Sequence, residues 1–343
     1  VLIWALLGPR TGDNNQVLAL AEAVARATGG EVRRLPLRYN ALRLLPNRID
    51  AGRACLDAPS RALLAPPWPD LVIGVGQRSV PVARWIRRRC GAPVVQLGRP
   101  RCHPSRLDLV ITTPQYGVPP GPQVLELPAV LTPPPPPAAA GEAVAALVLG
   151  GPSWPWQLDA AAIEAACTRL LAGPLPLRVI ASRRTPPAII ARLRALLPPG
   201  AFLEGAGAYR DLLGRAAGIT VTADSVSMVS EALATGRPVH RLPLRLRPLA
   251  GAWLRLMRAL RRGDAGEGPA VARLAGRAWG ALVRRGLVGW PRDLWFFWRG
   301  LDHGRPTAAA GDPTALMAMA VARIRQLLPA PAPGSGRGSG RPG

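Results

Sequence analysis

The residues best placed for chemistry lie in TADSVSMVSEALATGRPV, residues 222–239, which follows the apolar run AAGITV. A strand that turns into a helix presents N–H groups with no partner inside the helix, at the positive end of the helix dipole. Such an end receives phosphate. Here Ser225, Val226 and Ser227 supply the N–H groups, and the two serines add hydroxyls. Glu231 follows Ser225 by about one and a half helical turns. A carboxylate at that distance can accept two hydrogen bonds from a ribose diol while a diphosphate rests on the turn. The plain alternative is capping by Asp224 or Ser225, with Glu231 in solvent.

Other loops carry matching chemistry. LGGPS at 149–153 brings bare backbone at Gly150 and Gly151, with Ser153, close to a ligand. ASRRTP places Ser182, Arg183 and Arg184 at the end of another strand, and guanidinium forks suit a diphosphate. With Tyr209 of YRDLL, these residues form the expected donor side. In the first half, GPRTGDNNQ supplies Gly12, Asp13, Asn14, Asn15 and Gln16. Asp13 and Gln16 have the spacing of a capping box, which is one reading. The other is an acceptor-side loop with Asp13 as general base for an attacking hydroxyl. GVGQRS adds Gly76, Gln77, Arg78 and Ser79 to that side, although a tight turn needs glycine in any case. It is a poor dinucleotide fingerprint: Ser79 replaces the third glycine, and no acid ends the next strand, PVVQLG. No NAD and no other cofactor is expected.

A bound metal is not expected either. Cys55, Cys90, Cys102 and Cys167 form no CxxC pair, and there is no acidic DxD pair. Scattered thiols suit a reducing, cytoplasmic compartment.

These loops need a scaffold of alternating strands and helices. Strand-like runs at 1–8, 31–37, 70–76, 93–98, 107–113 and 124–131 alternate with amphipathic stretches at 13–29 and after GVGQ. The pattern restarts at 144–151 and runs through 177–184, 218–223 and 238–244. This predicts an α/β chain of two Rossmann-like domains, with a ligand cleft at the C-terminal ends of their strands. The expected boundaries are 1–131 for the acceptor-side domain and 132–143 for a proline-rich linker. Residues 144–328 are expected to form the nucleotide-binding domain, with a helical segment at 245–303, and 329–343 a disordered tail.

The chain has 343 residues and a formal net charge of +24, all of it from arginine, since no lysine occurs. Polyanionic partners follow: phosphorylated substrates, an anionic membrane surface or nucleic acid. No zinc-finger, aromatic RNA-binding or helix-turn-helix signature is evident, so nucleic acid is not expected. Segment 253–299 mixes Trp253, Trp279, Trp290, Trp295, Phe296, Phe297 and Trp298 with ten arginines, among them Arg258, Arg261 and Arg292. Tryptophan at an interface and arginine on lipid phosphate make one reading, peripheral binding to the inner membrane. Core packing of C-terminal helices is the other. No apolar run is long enough to span a bilayer.

The 222–239 stretch resembles the nucleotide-sugar-binding segment of GT-B glycosyltransferases, such as the muramyl-pathway N-acetylglucosaminyltransferase. The resemblance implies Glu231 as ribose ligand and the 225–227 turn as the diphosphate seat. GDNNQ, GVGQRS, LVLGGPS, ASRRTP, YRDLL and the 222–239 segment occur in the order of the mitochondrial-fission ELM family, over roughly residues 1–325. The chain is similar to that family's bacterial members. It departs at Gln115-Tyr116, where many relatives have His-Asp, and at Gly207-Ala208, where relatives often have Asn-Pro. The family's plant members are linked to recruiting a dynamin to mitochondria, a role that does not carry to a bacterial cell. The expectation is therefore a GT-B transferase moving a sugar from a nucleotide donor. Its alternatives are a non-catalytic membrane scaffold and an NAD-holding nucleotide-sugar epimerase.

Overall fold

The computed structural model describes the chain except residues 46, 48–50, 139–140, 206, 304–311 and 330–343. Nearly all of the expected tail thus lies outside the described residues.

The first unit comprises β1 (Leu2–Leu7), α1 (Thr11–Thr28), β2 (Glu31–Pro36), α2 (Ala58–Ala62), β3 (Leu71–Val75), α3 (Gly76–Cys90), β4 (Val94–Leu97), β5 (Leu109–Thr112) and β6 (Val124–Glu126). Its six strands are parallel, in the order β2-β1-β3-β4-β5-β6. β1 is buried along most of its length because both sheet faces are covered. Ile3 and Ala5 face α1, whereas Trp4 and Leu6 face α3.

The second unit comprises β7 (Val144–Leu149), β8 (Trp156–Leu158), α4 (Ala160–Leu171), β9 (Leu177–Ala181), α5 (Pro187–Leu196), β10 (Phe202–Leu203), α6 (Ala208–Arg215), β11 (Ala216–Thr222), α7 (Val226–Ala234), β12 (Val239–Leu242) and β13 (Leu244–Leu246). Five of these strands form a second parallel sheet, ordered β10-β9-β7-β11-β12. β8 and β13 pair antiparallel in a separate ribbon. This is the expected architecture of two Rossmann-like units, and the strand order reverses beside the central strand in each. Ligands enter such sheets at that reversal.

Four helices follow: α8 (Pro248–Asp264), α9 (Ala270–Arg284), α10 (Leu294–His303) and α11 (Pro313–Arg325). Here the expected boundaries change. Leu316, Ala320 and Ile324 of α11 are buried in the core of the first unit, beside Val17 and Leu20 of α1. Residues 144–328 are therefore not one spatial unit. The chain crosses back, and α11 packs beside α1 on the first unit's core.

The aromatic segment is used mainly for packing. Trp290 and Phe297 are buried, and Trp295 is flanked by the guanidiniums of Arg258, Arg262 and Arg299. Arg258 also holds the buried Asp293 with two bonds, of 2.7 and 3.0 Å. Such a fork locks α8 to α10. The apolar residues that do face solvent are mostly others. On α8, Leu249 is 89 %, Trp253 44 % and Leu256 58 % exposed, at the i, i+4, i+7 spacing of one helix face.

Candidate functional site

The loop after β1 is shaped by Asn14, whose carboxamide accepts from the Gly8 N–H at 2.8 Å and donates to the Gly8 carbonyl at 2.9 Å. Asn14 is thus a loop clamp. The helix begins at Thr11 with Arg10 in the capping position and no side-chain cap. Asp13 therefore sits inside the first turn, and the capping-box reading of Asp13 and Gln16 fails. Gln16 instead reaches the other unit: its Nε2 donates to Ser227 Oγ at 3.1 Å. Asn15 is half-buried beside it.

Asp13 lies in the field of arginines from several segments. Burial raises its carboxyl above the ordinary value of 3.8, against the opposing pull of Arg10, Arg292, Arg184 and Arg78. Arg10 and Arg78 belong to the first unit, Arg184 to the second, and Arg292 to the segment before α10. Arg292 also donates to Ser153 Oγ at 2.7 Å. Ser153, Arg184 and Asp13, expected on two sides of one cleft, do converge.

The Gly150-Gly151 turn is close-packed, but not around a ligand. The Gly150 N–H donates to Thr222 Oγ1 at 2.7 Å and the Gly151 N–H to Asp224 Oδ2 at 2.9 Å. Both amides expected to cradle diphosphate are thus engaged within the second unit. The glycines are needed because a Cβ on Gly150 would lie 2.3 Å from Asp224 Oδ2, and one on Gly151 2.3 Å from Arg184 Cβ. Ser182 is also turned inward: its Oγ accepts from the Arg184 N–H at 3.2 Å and meets Thr185 Oγ1 at 3.2 Å. Arg183 is exposed and crosses to the first unit, donating to Thr11 Oγ1 at 2.7 Å.

At the start of α7, Ser225 is the cap, its Oγ accepting from the Met228 N–H at 3.4 Å. The Val226 side chain is buried with Trp156, Leu254, Leu294 and Phe297. Among the described residues no hydrogen bond is found from the Val226 or Ser227 amide. Ser227 faces Gly12 of α1, where a Cβ would meet Ser227 Oγ at 3.5 Å. The two helix starts therefore touch. Glu231, further along α7, is within hydrogen-bonding reach of the Tyr209 hydroxyl. Burial raises the Glu231 carboxyl above 4.5 while Tyr209 and Arg210 pull it down. Burial and the neighbouring Glu231 raise the Tyr209 phenol well above 10. The Tyr209 hydroxyl donates to the Met228 carbonyl at 3.5 Å, which holds the ring beside Glu231 on α7.

The GVGQRS loop divides. Gly76 opens α3 at φ +66°. Arg78 reaches Asp13 electrostatically. The Gln77 carbonyl is taken by Asn47 Nδ2 at 2.8 Å. Ser79 is buried, its Oγ donating to the Val75 carbonyl at 3.0 Å and accepting from Gln96 Nε2 at 3.0 Å. Ser79 is therefore an internal brace and not an acceptor contact. Gln115 is fully buried, and both polar atoms of its side chain lack a partner among the described residues.

Three site members escaped the sequence reading. Asp224 reads as a cap, yet it is 2 % exposed, orders the glycine turn and leaves Oδ1 without a partner. Thr185 is buried and donates to the Gly150 carbonyl at 2.5 Å. Arg292 was grouped with a membrane segment, though it lies in the cleft. Arg292 gave no sequence signal, since nothing distinguishes it from its neighbouring arginines. The Gly-Gly run opposite a buried acid could have drawn attention to Asp224.

The family model described as Mitochondrial fission ELM1 matches residues 11–265. No curated protein matches the chain in sequence. Among solved structures, MurG of Acinetobacter baumannii is 16 % identical, with 95 % of this chain and 99 % of that one covered and a TM-score of 0.45. The UDP co-structure of S. aureus MnaA is 10 % identical, with 88 % and 95 % covered and a TM-score of 0.47. The glycotransferase of kitacinnamycin is 13 % identical, with 96 % and 99 % covered and a TM-score of 0.47. Likeness at this level speaks to layout and not to chemistry.

Proposed function

The chain belongs to the mitochondrial fission ELM1 family, and from that premise we propose that it binds a nucleotide-sugar in the cleft between its units and transfers the sugar. The observation that carries this reading is the charge around Asp13. The fields of four guanidiniums, of Arg10, Arg78, Arg184 and Arg292, reach Asp13, and Arg184 also lies 3.7 Å from Asp224. Two carboxylates leave this cluster about two positive charges in excess, which a diphosphate of about two negative charges balances. The α7 amides of Val226 and Ser227 lie at the same junction, and Glu231 with Tyr209 offers a carboxylate to a ribose.

In such a reaction the bond from the anomeric carbon to the diphosphate breaks as an acceptor hydroxyl attacks, through an oxocarbenium-like transition state. The arginines stabilise the departing charge, and no metal or cofactor is required. Asp13 takes the proton of the attacking hydroxyl, a role that its raised pKa favours. Titration calorimetry with UDP-, GDP- and CMP-sugars tests the reading. One donor should bind, and Glu231→Gln should weaken it about 10- to 150-fold, the equivalent of about 1.5–3 kcal/mol for a hydrogen bond to a charged group. Failure of every donor to bind overturns it.

A second reading, a non-catalytic scaffold, is favoured by direct stitching of the units. Gln16 to Ser227, Arg183 to Thr11, and the Val130 N–H to Ser230 Oγ at 3.4 Å all cross the cleft. On either reading the exposed stripe of Leu249, Trp253 and Leu256 suits peripheral contact with a membrane. Among the described residues no helix is long and apolar enough to cross one.

A further inference from the structure

A cavity of about 320 Å³ lies between the loop after β4 and the segment after α9, apart from the glycine turns of the cleft. Arg99, Arg101, Arg106 and Arg285 line it, and no aspartate or glutamate does. Among the described residues none of these four guanidiniums meets a carboxylate, although most exposed arginines of known partner elsewhere pair with one. Arg99 is the most telling. Burial and the nearby Arg101 lower its guanidinium to about 10, so its charge is held there at a cost. Arg101 has φ +51°, the left-handed region that a branched-out side chain rarely adopts, and it is the non-glycine residue in that region among those described. Strain of that kind persists where the surroundings enforce it, often at ligand sites. The rest of the wall mixes Cys102, His103 and Tyr116 with apolar Val118, Val283 and Trp290, and Leu287 is exposed at the rim.

We propose that this pocket binds a phosphomonoester carried on a hydrocarbon chain, with the phosphate against Arg99 and Arg285 and the chain along the rim at Leu287 and Val288. Guanidinium forks match phosphate oxygens with paired N–H donors, and the apolar walls offer nothing to a wholly polar anion. Phosphate with hydrocarbon is the chemistry common to the two surfaces. The cavity has the size of a small-ligand site and admits a headgroup with the first carbons of its chain. The pocket stands independently of sugar transfer, since none of its arginines belongs to the cluster around Asp13.

Titration calorimetry of the full chain tests it with three probes: inorganic phosphate, glycerol 3-phosphate and dihexanoyl phosphatidic acid below its micelle concentration. The last should bind at least tenfold more tightly than glycerol 3-phosphate, since each buried methylene contributes about 0.8 kcal/mol, close to fourfold. Arg285→Gln, at an exposed position, and Arg99→Gln should each weaken it about 10-fold or more, with weaker binding at higher salt. Arg285→Gln keeps the test valid if loss of Arg99 disturbs folding. Equal affinity for glycerol 3-phosphate and the lipid overturns the apolar half of the proposal. Unchanged affinity in Arg285→Gln and in a folded Arg99→Gln overturns the pocket. Donor binding to the cleft, read separately with Glu231→Gln, is untouched by either result.

Discussion

Replacing Gly150 by alanine separates two roles for the Gly150-Gly151 turn: space for a ligand, and space for Asp224. The added Cβ would sit 2.3 Å from Asp224 Oδ2, 2.4 Å from Oδ1 and 2.6 Å from Cγ. Asp224 is 2 % exposed and holds the Gly151 N–H at 2.9 Å, so it cannot swing aside without giving up that bond. Overpacking costs about 1–3 kcal/mol. Loss of a hydrogen bond to a charged acceptor costs about 1.5–3 kcal/mol more. Together these predict about 2.5–6 kcal/mol of destabilisation, or roughly 5–12 °C in Tm at about 2 °C per kcal/mol for a chain of this size. Gly8→Ala is the control, because nothing lies within 4 Å of a Cβ there and its φ is not positive. It should leave Tm within about 1 °C. Thermal melting by circular dichroism, without any ligand, reads both. A Gly150→Ala protein that melts with wild type but no longer binds nucleotide refutes the reasoning, and returns the turn to the ligand.

Three more outcomes are expected. Gln16→Ala removes the bond to Ser227, about 0.5–1.5 kcal/mol of cleft closure, and should raise donor affinity about 2- to 12-fold by populating the open form; calorimetry showing unchanged or weaker binding opposes this. Folded Asp13 keeps its proton above the unfolded value near 3.8, so its contribution favours folding below that value and is lost as pH rises through the raised folded pKa. Asp13→Asn should therefore raise Tm at pH 7, with the gain disappearing toward pH 3.5; the opposite trend in melting curves counts against a strained carboxylate. Ile324→Ala in α11 should cost about 2–5 kcal/mol in urea unfolding, because Ile324 is fully buried against the first sheet. A surface-like loss below about 0.5 kcal/mol would detach α11 from that core.

The two sheets were legible because strands buried on both faces are continuous apolar runs, and LIWALL or LVIGV can hardly be anything else. β8 and β10 were not, since three and two residues carry no period. The return of α11 was hidden as well: an amphipathic helix announces that it has a buried face and not which sheet buries it. At the site, the sequence points to Glu231 and Tyr209 on one side and to Asp13 and Arg78 on the other, but not to which of them are neighbours. The roles of Gly150, Gly151, Ser79 and Ser182 were misread for one reason. Turn residues that look ready for a ligand also look ready for their own fold, and sequence does not show whose hydrogen bonds they make. In the structure Thr222, Asp224 and Gln96 supply those bonds, each from a strand or loop distant in sequence.

The arginines around Asp13 impose a tension on the closed cleft. Arg184 comes from one unit and Arg10 and Arg78 from the other, so closure brings like charges together around a single half-buried carboxylate. At separations under a Debye length this repulsion is not screened away at ordinary salt. Opposing it are a few hydrogen bonds, Gln16 to Ser227 and Arg183 to Thr11, each worth about 1 kcal/mol net. A neutral contact and a charge-assisted one thus hold the units together against an electrostatic push. On the proposed reading, a bound dianion would offset that push, because its charge attracts guanidiniums from both units at once. The contact of Gly12 with Ser227, where a Cβ would meet Oγ at the ordinary van der Waals distance of 3.5 Å, marks where the two units meet beside that cluster.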